Sequence, residues 1–138
     1  MDVIVLIGRL MFTAVFLSSA VAHFRQTKMM AGFAASRGVP APAAATLVGG
    51  VLLAVGGLSV LLGVWADLGA LLLVIFLVPT ALMMHAFWKE QGEGRMMETN
   101  QFLKDIGLAG AALMLFALFS FAGDDLGLTI TGPLFDIK

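Results

Sequence analysis

Four apolar stretches, each long enough to cross a bilayer as a helix, constrain this chain more than any other feature. They occupy residues 3–24, 43–64, 68–88 and 102–122. A hydrocarbon core about 30 Å thick requires about 20 residues of α-helix, and within it every backbone N–H and C=O must be satisfied inside its own segment. The alternating polarity of a membrane β-strand is missing from these stretches. The sequence therefore predicts an all-α fold, an integral membrane bundle of four transmembrane helices.

The composition leaves little for a water-facing surface. The chain is 60% hydrophobic and 12% charged, whereas a soluble domain is about a quarter charged. Its formal net charge of −1 provides no basic face for a nucleic acid. Cysteine is absent from the sequence, which excludes disulfides and thiolate metal sites. We expect one transmembrane domain over residues 1–138, with a retained first span and, over residues 123–138, a short ordered tail on the outer face that packs on a partner.

The basic residues are divided unequally between the two ends of the predicted bundle. Six basic residues lie at one end, in the connection after the first stretch and around the start of the fourth. The other end carries only two, Arg9 and Lys138. Because cytoplasmic loops are enriched in Lys and Arg, we predict that these two connections are cytoplasmic and that both termini face the outer, periplasmic side. The six residues are Arg25, Lys28, Arg37, Lys89, Arg95 and Lys104.

Glycines recur along one side of the second stretch. Pairs and single residues repeat every seven positions, and the fourth stretch has a similar small-residue face. In lipid, small residues allow helix backbones to approach closely. We therefore predict that the second and fourth helices pack together by these faces, the alternative being that some of the glycines form a dimer interface. The residues concerned are Gly49, Gly50, Gly56, Gly57, Gly63, Gly107 and Gly110.

A cluster of polar side chains falls at the predicted cytoplasmic ends of three helices. Polar groups at membrane depth are costly and are therefore functional candidates. Imidazole titrates near neutral pH, so a histidine pair with amide and carboxylate neighbours predicts a pocket that binds and protonates a quinone head group. The alternative is a set of interfacial anchors, with an aromatic belt and a snorkelling lysine. The candidates are His23, His85, Trp88, Gln101, Lys104 and Asp105.

Other cofactors fit these residues less well. Bis-histidine haem is built on the inward faces of helical bundles, whereas His23 and His85 lie near the membrane edge. A catalytic metal would require a third ligand, for which only Asp105 or a loop glutamate is available. We therefore expect a quinone in preference to haem, and no metal.

A second polar cluster is expected at the outer end. Arg9 lies about two turns into the first helix, and Asp67, Asp124 and Asp125 lie at the same end. A buried cation is expected to pair or to snorkel outward. We predict a structural pairing of Arg9 with one of these aspartates. The alternative is an anionic ligand, or a carboxylate of a partner, held by Arg9.

The chain resembles a known family of small bacterial membrane proteins, the DoxX family, over about residues 4–120. No one motif is decisive, but the order and spacing of all of them are specific. The motifs are Gly8-Arg9-Leu10, residues 16–19 with His23 downstream, residues 38–42, Gly56-Gly57, residues 61–63, residues 85–88 and residues 101–105.

This resemblance implies a multi-pass protein of the bacterial inner membrane. Some members of the DoxX family are linked to thiosulfate:quinone oxidoreductase, in which a DoxD-type subunit accompanies a second subunit, and others to membrane oxidoreductase complexes. The chain departs from the family at two positions. Ala54 stands where many relatives carry a glutamate before the paired glycines, and Asp67 stands where many carry a basic residue. The missing glutamate weakens the case for proton-coupled chemistry and favours a structural subunit.

Three functions are therefore open, and whether the chain is an enzyme is open with them. The first is a quinone-associated subunit of an oxidoreductase system. The second is a non-catalytic accessory subunit that scaffolds a larger membrane complex, with other subunits or further copies of this chain as partners in the bilayer. The third is a small-solute transporter, for which four helices are few.

The predicted orientation can be tested by labelling a single cysteine in this cysteine-free sequence. We expect Glu93→Cys, in the connection before the fourth helix, to react with a membrane-impermeant maleimide only after the cells are permeabilised. Asp125→Cys, at the other end, should react in intact cells. Labelling of Glu93→Cys from outside intact cells would show that the orientation is reversed.

Overall fold

The computed structural model describes residues 1–137 and contains five α-helices, with no strand in that range. Four of the helices are long and apolar enough to cross a membrane, which confirms the predicted all-α fold with four spans. Lys138, part of the predicted tail, lies outside the described residues. The helices are α1 (Asp2–Arg25), α2 (Thr27–Ser36), α3 (Pro42–Leu62), α4 (Ala66–Met84) and α5 (Gly92–Ala122), with short 3-10 turns at Phe87–Lys89 and Gly123–Asp125.

Two elements differ from the sequence-based expectation. The short helix α2 lies within a segment expected to be only a connection, because ten residues of mixed polarity carry no transmembrane signal. Helix α5 begins ten residues before the predicted fourth span. Its 31 residues extend about 46 Å at about 1.5 Å per residue, which exceeds a hydrocarbon core of about 30 Å. Hydropathy identified only the apolar part of α5, and its polar first turns continue the helix beyond the bilayer.

The helices pack in chain order. Helix α1 packs on α3, α3 on α4 and α4 on α5, while α2 packs mainly on α3. A groove of about 330 Å³ remains between α1 and α5. The basic end of the bundle holds α2 and the turn at Phe87–Lys89. The terminal end holds the start of α1, the end of α5 and the α3–α4 turn.

The prediction that the second and fourth spans pack by their glycines is wrong, because the glycine faces of α3 contact α1 and α4. A Cβ at Gly49 would lie 3.0 Å from the ring of Phe76 on α4, and one at Gly56 would lie 3.0 Å from the carbonyl oxygen of Gly69 on α4. A Cβ at Gly57 would lie 2.9 Å from Leu17 on α1. Consecutive helices joined by short connections become neighbours, and the paired glycines give α3 two adjacent smooth faces.

The glycines of α5 have no such contact. Around Gly107 and Gly110, an added Cβ would meet nothing within 4 Å in residues 1–137, and both residues are exposed. These positions face lipid or another chain. The alternative role of these glycines in a dimer interface remains a prediction.

The close packing of α4 on α3 at Gly69 provides a stability test. A Cβ at Gly69 would lie 2.5 Å from Cβ of Ser59 and 3.0 Å from the carbonyl oxygen of Gly56, so α3 and α4 must separate to accommodate it. We expect Gly69→Ala to lower the midpoint of thermal unfolding in micelles by several degrees, consistent with an overpacking cost of about 1–3 kcal/mol. Gly110→Ala is the matched control and should leave the midpoint unchanged or raise it. Equal effects of the two substitutions would contradict the close packing of α3 on α4.

Candidate functional site

A cavity of about 690 Å³ opens at the basic end, and each of the five helices contributes to its walls. Most of the lining is apolar, from methionine, phenylalanine and aliphatic side chains. Four of the six residues predicted for a ligand pocket lie in these walls. They are His23, His85, Lys104 and Asp105.

His23 is held in one orientation by its own helix and by α3. Its Nδ1–H donates to the carbonyl oxygen of Ser19 at 2.8 Å, and since a carbonyl can only accept, the proton must be on Nδ1. The ring packs edge-to-face on Phe76 at a centroid distance of 5.7 Å and against the smooth surface at Gly49 and Gly50. No hydrogen-bond partner for Nε2 occurs in residues 1–137. A neutral His23 therefore has a free lone pair on Nε2 at the cavity wall.

His85 lies between two carboxylates at the end of α4. Its Nδ1 is 2.7 Å from Oε2 of Glu98, and its Nε2 is 3.7 Å from Oδ2 of Asp105. Glu98 and Asp105 are seven residues apart on α5 and therefore share one helix face, two turns apart. The Asp105 carboxylate is almost fully buried. A protonated His85 can donate to both carboxylates, whereas a neutral one donates to Glu98 and leaves Nε2 as an acceptor.

Arg37 extends this network to the end of α2. Its guanidinium donates to Oε1 of Glu90 at 2.6 Å and to Oε1 of Glu98 at 2.7 Å, and it stacks over the ring of Phe33 at 5.1 Å. The Glu98 carboxylate is thus shared, with one oxygen on Arg37 and the other on His85. The role of Glu98 was not predicted from the sequence. The spacing of seven residues between Glu98 and Asp105 on an extended fourth helix was the available signal.

Lys104 lies at the rim of the cavity, and the two remaining predicted residues, Gln101 and Trp88, lie outside its walls. Lys104 donates to Oε1 of Gln101 at 2.6 Å and lies 3.4 Å from Oδ1 of Asp105. Gln101 is exposed and does not line the cavity. Trp88 is half exposed and also lies outside the cavity walls, where its ring packs on Phe87 and Phe102. The part of these two residues in ligand binding therefore stays a prediction.

The same geometry bears on metal and haem ligation. Both ring nitrogens of His85 face carboxylates, so His23 and His85 do not present two free nitrogens to an iron. Within residues 1–137 no group of three or more His, Cys, Asp or Glu side chains is arranged to hold a metal ion.

At the terminal end, the predicted pairing of Arg9 with an aspartate is wrong. The Arg9 side chain is 1% exposed and makes no ion pair with any residue in the described range. Its Nε donates to the carbonyl of Val60 at 2.8 Å, and its two terminal nitrogens donate to the carbonyls of Leu61 and Leu128. The last carbonyls of a helix lack partners within the helix and carry the negative end of its dipole. Arg9 therefore caps α3 and binds the tail at the same time.

Asp67 is fully buried and holds the tail directly. Its carboxylate accepts backbone N–H groups of Leu134 at 3.0 Å and Phe135 at 2.6 Å. Gly63 was predicted as a helix-packing residue, but it ends α3 at a φ of +68° and lies against Thr129 of the tail. Its carbonyl accepts from the N–H groups of Ile130 and Thr131. The tail thus packs on its own bundle.

The two remaining aspartates of this cluster lie at the surface. Asp124 and Asp125 form the 3-10 turn after α5 and are exposed. Asp124 lies against Gly132 of the tail, and neither residue contacts Arg9. The outer cluster is therefore two separate features, a capped helix end with its docked tail and an exposed acidic turn.

Comparison with protein-family models identifies the chain. The DoxX family model matches residues 4–86, which contain most of α1 and all of α2, α3 and α4. The chain belongs to the DoxX family. No curated protein and no solved structure matches it.

Membership of the DoxX family and the four apolar helices make this a multi-pass membrane protein in contact with the lipid bilayer. The matched region ends before α5, so the family match does not include Glu98, Lys104 or Asp105. Asp67 was identified from the resemblance as a departure from a basic residue. In this structure the two N–H groups of the tail require a hydrogen-bond acceptor at position 67, which Asp67 provides and a basic side chain could not.

The contribution of Asp67 can be measured by hydrogen exchange. Asp67→Asn leaves one acceptor oxygen for two N–H groups, and a hydrogen bond to a charged group contributes about 1.5–3 kcal/mol. We expect the amides of Leu134 and Phe135 to exchange about tenfold faster or more, measured by mass spectrometry on the protein in micelles. Asp125→Asn removes an exposed acid and is the matched control. Unchanged protection in Asp67→Asn would contradict the docking of the tail.

Proposed function

We propose that this DoxX-family protein binds a quinone in the cavity at the basic end and serves as a subunit of a quinone-linked membrane oxidoreductase system. The observation that carries the proposal is the position of a free imidazole nitrogen, Nε2 of His23, at the wall of a large apolar cavity near the membrane edge. Pockets for small lipophilic ligands are about 300–1,000 Å³ and mostly apolar, with few convergent polar groups. The cavity of about 690 Å³ fits this description.

The polar groups suit the oxygens of a quinone or a quinol. A neutral His23 accepts a hydrogen bond from a quinol hydroxyl at Nε2, and a protonated His23 donates to a quinone carbonyl. On another wall, Lys104 is a donor and Asp105 an acceptor, and His85 can donate from Nε2 when its ring is protonated. The tautomer of His23 is fixed by Ser19, so no reorganisation of the ring is needed before it binds.

The charged network beside the cavity contains groups that can accept or donate the protons of a quinol or a quinone. Asp105 lines the cavity, His85 lies 3.7 Å away, and Glu98 follows at 2.7 Å. These three side chains form a row of titratable groups from the cavity toward the rim at Arg37 and Glu90. In this proposal the chain binds the quinone and handles its protons, and a partner subunit supplies or accepts the electrons.

A second candidate, the accessory subunit, is favoured by a different observation. The groove between α1 and α5 is open, and Gly8, Gly107 and Gly110 are exposed beside apolar surface with no contact in the described part of the chain. Small residues on a lipid-facing helix surface are typical of transmembrane helix association. Both proposals are compatible with one another, because a quinone-binding subunit that lacks its own electron carrier requires a partner.

Quinone titration of the protein in nanodiscs tests the binding proposal. We expect a short-chain ubiquinone or a naphthoquinone to bind, and His23→Ala to raise the Kd about tenfold through loss of one hydrogen bond to the head group. His85→Ala should also weaken binding while the bundle remains folded by circular dichroism.

The matched control is Thr80→Val. Thr80 lines the cavity, but its hydroxyl already donates to the carbonyl of Phe76 at 2.7 Å, so its removal should leave the Kd unchanged. Equal affinity of the wild type and both histidine variants would exclude the proposed site. If neither the ubiquinone nor the naphthoquinone binds, a quinone is excluded as the ligand of this cavity.

A further inference from the structure

Helix α2 forms one wall of the cavity and packs on the rest of the protein mainly through α3. Met29, Met30, Phe33 and Ala34 line the cavity from α2, yet of the ten residues of the helix only Ala34 is buried. The exposed fraction is 65% for Met29 and 45% for Phe33. Elements with few buried apolar contacts open locally at low cost in free energy.

Both ends of α2 are turns that can act as joints. Gln26, with φ −121° and ψ 29°, interrupts the helix between α1 and α2. On the other side, Gly38 has a φ of +78° and Ala41 a φ of +44°. The left-handed region suits glycine and is unfavourable for alanine. The ten-residue helix is therefore suspended between two non-helical segments rather than continuous with either neighbour.

Arg37 fastens this helix to α5 and to the preceding loop. It directly follows α2 and makes the two ion pairs with Glu90 and Glu98, at 2.6 and 2.7 Å. All three side chains are at least partly buried, so these pairs are screened less than surface pairs. They join α2 to α5, with which the helix otherwise shares few contacts.

We infer that α2 is a hinged lid over the cavity and that Arg37, with Glu90 and Glu98, is its latch. When the latch is released, α2 swings about Gln26 and the turn at residues 38–41, and the mouth of the cavity at the basic end widens. The inference rests on the proposed function only for the identity of the molecule in the cavity.

The latch and the cavity share one carboxylate. Glu98 binds Arg37 through Oε1 and His85 through Oε2, and His85 lines the cavity. A ligand that forms a hydrogen bond to His85 therefore acts on the latch through Glu98. The lid is coupled in this way to occupancy of the cavity, with no need for contact between the ligand and Arg37.

Cysteine accessibility tests the lid without any ligand. Thr46 on α3 lines the cavity and is 6% exposed, so Thr46→Cys should react slowly with a cationic thiosulfonate reagent in nanodiscs. Adding Arg37→Gln should raise the rate about tenfold, the factor that corresponds to about 1.4 kcal/mol. The matched control is Arg95→Gln, which removes an exposed arginine that makes no ion pair with the described residues and should leave the rate unchanged. The exposed Glu93→Cys serves as the reference for intrinsic reactivity.

Two results of this labelling experiment would contradict the proposed latch. Equal rates at Thr46→Cys with and without Arg37→Gln would overturn the latch, and so would an equal increase in Arg95→Gln. If Arg37→Gln does not fold, Glu90→Gln carries the test, because it removes one arm and keeps the pair with Glu98. This variant should give a smaller increase in rate, and no increase would overturn the inference.

A second arm distinguishes the lid from the proposed ligand. A bound short-chain ubiquinone should slow the labelling of Thr46→Cys in protein with an intact latch. Failure of this protection, together with faster labelling in Arg37→Gln, would retain the lid and exclude the quinone. Protection without any effect of Arg37→Gln would retain the quinone and exclude the latch.

Discussion

The close approach of α3 to its two neighbours is the constraint on which the rest of this structure depends. In lipid the apolar side chains gain nothing by leaving the solvent, so helices associate through packing and polar contacts. The paired glycines at 49–50 and 56–57 place α1 on one side of α3 and α4 on the other. These contacts fix His23 against Phe76 and so determine the shape of the cavity at the basic end. Helix α5 packs mainly on α4 and leaves the groove toward α1 open.

The two ends of the bundle satisfy their buried charges in opposite ways. At the terminal end, Arg9 and Asp67 are both bonded to backbone groups, the former to three carbonyls and the latter to two N–H groups. At the basic end the charged side chains are bonded to one another, in a row from Arg37 to Asp105. Backbone partners have no alternative protonation state, whereas carboxylates and imidazoles do. The terminal end is suited to rigidity and the basic end to chemistry.

Sequence patterns predicted the spans and the family, and physical reasons explain what they missed. Hydropathy identifies segments that lie in hydrocarbon, so it found four spans but not the ten-residue α2 or the polar start of α5. Glycine periodicity correctly marked α3 as a surface of close approach, yet a period defines a face and not the neighbour that covers it. Arg9 was expected to find a carboxylate because charges are visible in a sequence, whereas the carbonyls of Val60, Leu61 and Leu128 are not. Glu98 was overlooked because it precedes the apolar part of its helix.

The capping of α3 by Arg9 has a consequence for how the protein is made. Arg9 enters the membrane with the first helix, but two of its partners are about 50 residues further along and the third, Leu128, is 119 residues away. Until α3 is inserted the guanidinium has none of its three carbonyls, and an unpaired arginine within a span costs up to about 3 kcal/mol on insertion scales. Helix α1 is thus least stable in the bilayer while the ribosome is still synthesising the rest of the chain. Docking of the tail supplies the third carbonyl, so Arg9 obtains its full set of partners only after residue 128 has been synthesised.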